Sequence, residues 1–204
     1  QTGDAEAASV DGTGSVVEST AGALSPDGRF VAFRSRVDGA STAQVVLRDL
    51  DAGANTLVSA TSSGMPAGGS STPLAVADAG SAVLFGSDAT DLGAACDGCS
   101  RLYRWSPTGP SGPSVDVVSI GLDGEPTSAS PTAGSMSSDG RRVAFVTAVP
   151  GTDAQAILVD VASGETELIS GDRDGGPGDH DSGDVHLDDD GDTVVFASSA
   201  GDLV

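Results

Sequence analysis

The sequence predicts an all-β protein, and its composition and apolar patterning both favour this class. Of the thirty acidic residues, twenty-five are Asp and five are Glu, and Asp is a poor helix former that is common in turns. The 29 glycines indicate many turns, while a hydrophobic content of 38% argues against a disordered chain. No stretch shows a convincing helical period, and 204 residues are enough for a sizeable core.

Four short apolar runs recur along the chain, and each ends in phenylalanine. The runs read "RFVAF", "SAVLF", "RRVAF" and "DTVVF" and end at Phe33, Phe85, Phe145 and Phe196, which are 52, 60 and 51 residues apart. Runs of about five residues bounded by turn residues are typical of β-strands. The chain therefore contains a structural repeat of roughly 50–60 residues.

A tight turn is predicted just before three of these strands. The turn residues are Asp27-Gly28, Asp139-Gly140 and Asp190-Gly191. Glycine suits such hairpins because it accepts a positive φ. The second copy departs from this pattern, since Ala79-Gly80 occupies the turn and Asp78 stands one place earlier.

Two further markers complete the repeat. A strand ending in a turn glycine is read at 46–53, 102–109 and 157–164, and a strand ending in serine at 56–59, 116–119 and 167–170. Each unit then holds four strands, which predicts a β-propeller made of four-stranded antiparallel blades. The expected units are a single domain or segment with blades at about 21–70, 71–130 and 131–182, a partial blade at 183–204, and the last strand of a preceding blade at 1–20.

The repeats resemble a known family. "LSPDGRFVAF" and "DGRRVAF", with the later "VLRDLDAG" and "ILVDVASG", are similar to the TolB-type propeller repeat, SPDG-x-x-[apolar]-A-F followed by a strand ending D-x-x-[TS]-G. The resemblance runs from about Ala8 to Val204, and in the second unit Trp105 stands where the other copies have Asp49 and Asp160. It implies a scaffold, often secreted or periplasmic, used for protein contacts, sometimes attached to a hydrolase and sometimes carrying Ca²⁺.

The strand count leaves partial blades at both ends. Ser9 marks the end of a fourth strand, and the chain stops after two strands of another blade. Unpaired strand edges invite pairing with other chains. We therefore expect part of a longer propeller, or completion of the sheet by other chains, with a protein partner or self-association through blade edges.

The net charge limits the classes of partner that the protein can bind. The net charge is −21, lysine is absent, and all nine basic residues are arginines. Such a surface repels phosphate backbones and anionic lipids, which argues against nucleic-acid partners and membrane surfaces. No apolar run approaches the roughly 20 residues needed to span a bilayer. The composition favours an extracellular or cell-surface, secreted protein.

The two cysteines, Cys96 and Cys99, form one C-x-x-C pair. Such a pair is found in redox sites, in half of a zinc site, or as a small-loop disulfide. Zinc needs more ligands than one pair supplies, and a redox role favours a βαβ context. The preferred interpretation is a disulfide that ties a hairpin loop, which implies an oxidising compartment.

The densest acidic stretch, 171–192, is the candidate metal site. Nine aspartates lie in it, and the candidate Ca²⁺ ligands are Asp172, Asp174, Asp179, Asp181 and Asp184. Intervening glycines allow such a loop to wrap a hard cation, which takes six to eight oxygens. The spacing is not that of an EF-hand. The alternative, a solvated acidic loop between blades, is favoured, and no cofactor other than Ca²⁺ is expected.

No catalytic motif supports an enzyme. The sequence lacks a G-x-S-x-G elbow, an H-E-x-x-H motif and a P-loop, so no catalytic residue is assigned. The scattered arginines are expected to pair with neighbouring carboxylates. The leading hypothesis is an extracellular, non-enzymatic module that serves as a structural or protein-interaction scaffold. The alternatives are the propeller portion of a secreted hydrolase or lyase, and a carbohydrate-binding module.

Overall fold

A computed structural model describes residues 7–93, 98–109 and 112–203 of the chain. These residues form four antiparallel sheets in which the strands follow chain order. Sheet 1 holds β1 (Gly22–Leu24), β2 (Phe30–Ser35), β3 (Gln44–Asp49) and β4 (Ala54–Leu57). Sheet 2 holds β5 (Ser71–Val76), β6 (Val83–Ser87), β7 (Arg101–Gly109) and β8 (Gly112–Val117). Sheet 3 holds β9 (Ala133–Met136), β10 (Arg142–Ala148), β11 (Ala154–Asp160) and β12 (Thr166–Leu168). Sheet 4 holds β13 (Ser182–Leu187) and β14 (Val194–Ser198).

The all-β prediction with four-stranded antiparallel blades is confirmed, because three sheets have four strands and one has two. Neighbouring strands follow each other as hairpins throughout, so every pair is local in sequence. Sheets that succeed one another with this connectivity are the blades of a propeller. The division of the whole protein into domains stays a prediction.

The recurring phenylalanine points toward the preceding sheet. Phe85 of sheet 2 packs in one cluster with Val45 and Leu47 of sheet 1. Phe145 of sheet 3 packs with Leu84 of sheet 2 in the next cluster. Since Phe85 and Phe145 are fully buried, the repeat observed in the sequence is a repeat of interfaces between sheets.

Strand register corrects the sequence alignment of the second repeat by one residue. Phe33 pairs with Val46, and Phe85 pairs with Tyr103 rather than with Leu102. Ser106, not Trp105, therefore takes the place of Asp49. The shift has a packing reason, because Tyr103 and Trp105 lie on the same face of β7 and are both buried against sheet 1.

The turn glycines also lock neighbouring sheets together. Gly140 has a φ of +72°, and a Cβ placed on it would lie only 2.8 Å from the Cβ of Ala82 in sheet 2. Gly191 has a φ of +74°, and its Cβ would lie 3.0 Å from that of Ser137. Gly28 has the same conformation, with a φ of +74°. The Asp-Gly turns thus need glycine for the backbone conformation and, at Gly140 and Gly191, also for space.

The second turn is built differently. Asp78–Gly80 forms a short 3₁₀ turn in which Ala79 adopts a φ of +54°. The Ala79 amide donates a hydrogen bond to Asp27 of the preceding turn over 3.3 Å, and the Asp78 amide donates to Ser138 O over 2.7 Å. The turns of successive sheets are therefore joined by hydrogen bonds.

The outer faces of the first and last sheets keep exposed apolar side chains. On sheet 1, Leu24 is 59% exposed, on the face opposite to sheet 2. Val195 of β14 is 63% exposed, while its neighbours Val194 and Phe196 pack toward sheet 3. Phe33 is buried and lines a groove with Val10. Each end face therefore exposes one large apolar side chain, Leu24 on sheet 1 and Val195 on sheet 4.

The segment before sheet 1 repeats a loop found after the other sheets. Val10 forms an isolated bridge with Val16, as Ala60 does with Pro66 after β4. A last strand ending at Ser9 is predicted within residues 1–20. Residues 1–6 lie outside the described residues, and residues 7–20 form the bridge between Val10 and Val16 but no strand. Within the described ranges, no helix has the length and apolar character needed to cross a membrane.

Candidate functional site

A buried polar pair recurs at one end of two sheets. In sheet 1, the Ser59 hydroxyl donates to Gln44 Oε1 over 2.7 Å, and Gln44 Nε2 donates to Ala67 O over 3.0 Å. In sheet 3, Ser170 donates to Gln155 Oε1 over 2.6 Å. The two glutamines and the two serines are fully buried. The glutamine therefore fastens the loop after the fourth strand to the third strand of its own sheet.

Sheet 2 replaces this glutamine with Arg101. Tyr103 and Val46 are equivalent, because each pairs with the recurring phenylalanine of its sheet. Arg101 and Gln44 each stand two residues before them and are therefore equivalent too. Arg101 Nη1 donates to Thr127 O over 2.6 Å, which fastens the corresponding loop. The residue is only 7% exposed, and its buried Nε has no hydrogen-bond partner among residues 7–93, 98–109 and 112–203.

Arg101 lines a cavity of about 350 Å³ between sheets 2 and 3. The walls come from β5, β6 and β7 and from the segment that leads into β9, and they carry the hydroxyl groups of Ser70, Thr72, Ser87, Ser100 and Thr132. Asp88 lies in the same wall and is exposed. The cavity therefore combines one buried cation, one carboxylate and several hydroxyls.

Sequence reasoning missed this position because the second repeat was aligned one residue out of register. The available signal was the polar residue at the start of each third strand, in "AQVVL", "AQAIL" and "SRLYR". The expectation that the scattered arginines pair with neighbouring carboxylates is wrong for Arg101, which forms no ion pair with a carboxylate of the described residues. Among the described residues, ion pairs to carboxylates are formed by Arg29, Arg141 and Arg142.

Several other arginines bind backbone carbonyls. Arg104 Nε donates to Gly140 O over 2.7 Å, across the interface between sheets 2 and 3. Arg34 Nε donates to Ser71 O over 3.1 Å, across the interface between sheets 1 and 2. Arg142 does both, since it donates to Gly191 O and pairs with Asp192. These side chains act as bridges between sheets.

Of the five candidate Ca²⁺ ligands, three accept hydrogen bonds from backbone amides, namely Asp172, Asp179 and Asp181, and Asp174 is exposed. Asp172 Oδ1 accepts the amides of Asp174 and Gly176, both over 2.8 Å. Asp181 Oδ1 accepts the Ala154 amide over 2.9 Å, and Asp184 is exposed in the irregular pairing of β13 with a φ of +49°. Within the described part of the chain, no group of three His, Cys, Asp or Glu side chains gathers to hold a metal. Calcium binding stays a prediction.

One part of the acidic loop has a distinct electrostatic arrangement. His180 Nδ1 lies 3.1 Å from Asp179 Oδ1, which also accepts the Gly201 amide over 2.8 Å. The hydrogen bond that His180 donates to the Asp179 carboxylate raises the pKa of His180 above its usual value of 6.5. The backbone hydrogen bond from Gly201, followed by that of His180, lowers the pKa of Asp179. The pair holds the last segment of the chain against the loop.

The predicted disulfide is not tested, because Cys96 lies outside the described residues.

Comparisons with known proteins show the fold. The chain is similar to TolB from Acinetobacter baumannii, with a TM-score of 0.53 and 20% identity over 91% of this chain and 38% of that protein. It is also similar to a structure from a study of two prolyl endopeptidases, with a TM-score of 0.51 and 18% identity over 84% of this chain and 24% of that one. No protein-family model and no curated protein matches the sequence.

The chain has a TolB-like β-propeller fold. At these identities the likeness extends to the fold alone, and the chain spans less than half the length of the TolB protein. The resemblance of the repeats to the TolB-type pattern is thus supported at the level of architecture.

Proposed function

We propose that this chain is an extracellular, non-enzymatic propeller module that acts as a protein-interaction scaffold and associates through the faces of its end sheets. The observation that carries the proposal is the exposure of Leu24 and Val195 on the two outer faces. Apolar faces of the same repeat pack against each other at every sheet junction inside the stack. Further sheets, from a longer chain or from another copy, would cover the end faces in the same way.

The charge supports an extracellular scaffold role. A net charge of −21 keeps such a protein soluble and favours partners that carry positive charge. The proposed calcium site is the acidic stretch 171–192, in which Asp172 and Asp174 line one cleft together with Arg173. Isothermal titration of Ca²⁺ into chelator-treated protein tests this part, and heat of binding that persists in an Asp172→Asn variant would exclude that loop as the site.

The association itself is tested by charge insertion. Val195→Asp and Leu24→Asp should each reduce the oligomeric mass measured by light scattering after gel filtration, because a carboxylate on an apolar interface is costly to bury. Met65→Asp is the matched control, since Met65 is also 59% exposed but lies in a loop after β4. A wild-type chain that stays monomeric at high concentration, or an equal effect of Met65→Asp, would contradict association through these faces.

A second candidate is the propeller portion of a larger secreted hydrolase. It is favoured by the likeness to the prolyl endopeptidase structure, of which this chain spans 24%. The test is the sequence of the complete polypeptide in its host. A catalytic domain on the same polypeptide would support the hydrolase assignment over the free-standing scaffold.

A further inference from the structure

Arg101 is a buried cation whose hydrogen-bonding capacity is largely unused by the residues that the structure describes. Of its five N–H donors, one on Nη1 binds Thr127 O, while the buried Nε has no partner. No carboxylate of the described residues forms an ion pair with it. Burying a charge without a counter-charge is costly. Arg101 therefore lowers the stability of the fold unless an anionic group binds the guanidinium.

The repeat itself shows that the arginine is not needed for the fold. Gln44 and Gln155 fill the same position in sheets 1 and 3, and each accepts a hydrogen bond from a buried serine. An arginine side chain offers no acceptor, so the corresponding Ser119 hydroxyl loses that partner. Sheet 2 therefore gives up a satisfied polar pair and gains surplus donors beside a cavity.

The cavity has the size and lining of a small-molecule site. Its volume of about 350 Å³ is within the range typical of ligand pockets, roughly 300–1,000 Å³. Ser71 Oγ donates to Ser87 Oγ over 2.9 Å, and Ser87 Oγ donates to Ser70 O over 3.1 Å, so part of the wall is held by its own hydrogen bonds. Arg101 supplies the only cationic group among the residues that line this cavity.

Asp88 decides what kind of anion fits. Its Oδ1 accepts the Ser70 amide over 2.6 Å, and the residue is exposed and lines the cavity. A simple anion would meet Asp88 and the overall charge of −21, and both repel it. A ligand with a carboxylate and an ammonium group satisfies Arg101 and Asp88 together.

We propose that the cavity between sheets 2 and 3 binds a small zwitterionic amino-carboxylate, with the carboxylate on Arg101 and the ammonium group toward Asp88. The hydroxyls of the wall complete the hydrogen bonding of the ligand. This site is independent of the scaffold role, because it lies inside the stack and not on an end face.

The test uses alanine as the zwitterionic probe and acetate as the purely anionic one. Each is titrated into ¹⁵N-labelled protein at constant ionic strength, and the Arg101 Nε–Hε resonance is followed by NMR. Its assignment comes from its loss in Arg101→Gln, a variant that copies Gln44 and Gln155 and is therefore expected to fold. In that variant the shifts of neighbouring backbone amides, such as those of Ser100 and Thr132, report on binding.

Alanine is expected to shift the wild-type resonance saturably and to bind more tightly than acetate. Arg101→Gln should weaken alanine about tenfold or more, as expected for the loss of hydrogen bonds to a charged group. Asp88→Asn should remove the advantage of alanine over acetate, and Arg173→Gln, the same change at an exposed loop arginine, should alter neither affinity. An unshifted Arg101 resonance, equal binding to Arg101→Gln, or acetate binding as tightly as alanine would overturn the proposal.

Discussion

The hydroxyl of Ser59 donates to the buried side-chain oxygen of Gln44 over 2.7 Å. The same serine oxygen accepts the Val45 amide over 2.9 Å. One hydroxyl thus ends the fourth strand, holds the start of the third strand and orients the glutamine that fastens the following loop. The arrangement recurs in sheet 3 around Ser170, so it is a structural element of the repeat.

Ser170→Ala should destabilise the protein by about 1–3 kcal/mol, because it leaves the buried Gln155 oxygen and the Ala156 amide unpaired. Ser119→Ala is the matched control, since Ser119 accepts only the Leu102 amide and faces Arg101 rather than glutamine. We expect a smaller loss for Ser119→Ala. Urea unfolding midpoints of both variants give the comparison, and equal losses would contradict a special role for the glutamine–serine pair.

Gly140→Ala should destabilise the protein more than Gly175→Ala does. Both glycines have a positive φ, of +72° and +85°, so both substitutions strain the backbone. A Cβ on Gly140 would also clash with Ala82 at 2.8 Å, whereas one on Gly175 meets nothing within 4 Å. The difference between the two free energies of unfolding should be about 1–3 kcal/mol, the usual cost of overpacking. Thermal or urea unfolding measures it, and no difference would mean that the sheets separate freely there.

Arg29→Gln should raise the pKa of Asp49. The hydrogen bond from Arg29, over 2.6 Å, is the main cause that lowers this pKa from 3.8 to about 2. Because the folded value is the lower one, the stabilisation is present above pH 3.8 and is lost as the pH falls toward 2. The variant should therefore lose less stability between pH 4 and pH 2. Carbon-13 NMR titration of the Asp49 carboxyl measures the pKa, and Arg141→Gln should leave it unchanged.

Asp179→Asn should lower the pKa of His180, because it removes the carboxylate that raises it. A raised folded value means that the contribution to stability is present below pH 6.5 and is lost as the pH rises through the folded pKa. Proton NMR of the His180 ring across this range measures the shift. Asp174→Asn is the control, and an equal change in both variants would point to the general charge of the loop instead of the contact.

The strands ending in Phe85 and Phe145 and the Asp-Gly turns could be predicted because each depends on local chemistry. Alternating or continuous apolar side chains favour strands, and glycine is needed where φ is positive. The register of β7 could not be predicted in this way. It depends on which face of the strand carries Tyr103 and Trp105 into the core shared with sheet 1, and that is decided by packing between sheets.

Of the two candidate sites, the acidic loop could be predicted from the sequence and the cavity at Arg101 could not. The acidic loop could be recognised because nine aspartates stand close together in the sequence. In the structure, however, Asp172 accepts an amide of its own loop, and Asp181 accepts the Ala154 amide of β11. The cavity at Arg101 was not visible, because its walls come from strands of sheet 2 and from the segment before β9. These segments are separated by tens of residues and meet only when two sheets pack.

The sequence by itself determined the repeat, the four-stranded unit and the all-β class. Hairpins join strands that are neighbours in the chain, so the residues that favour each strand and turn lie within one short segment. Only the tertiary structure decided that Gly140 must fit against Ala82 and that Phe145 faces sheet 2. It also decided that Arg101 is buried beside a cavity instead of lying on the surface. Burial, the space around a side chain and unpaired hydrogen-bonding groups depend on both of the surfaces that pack together. A pattern in one segment of the sequence describes only one of those surfaces.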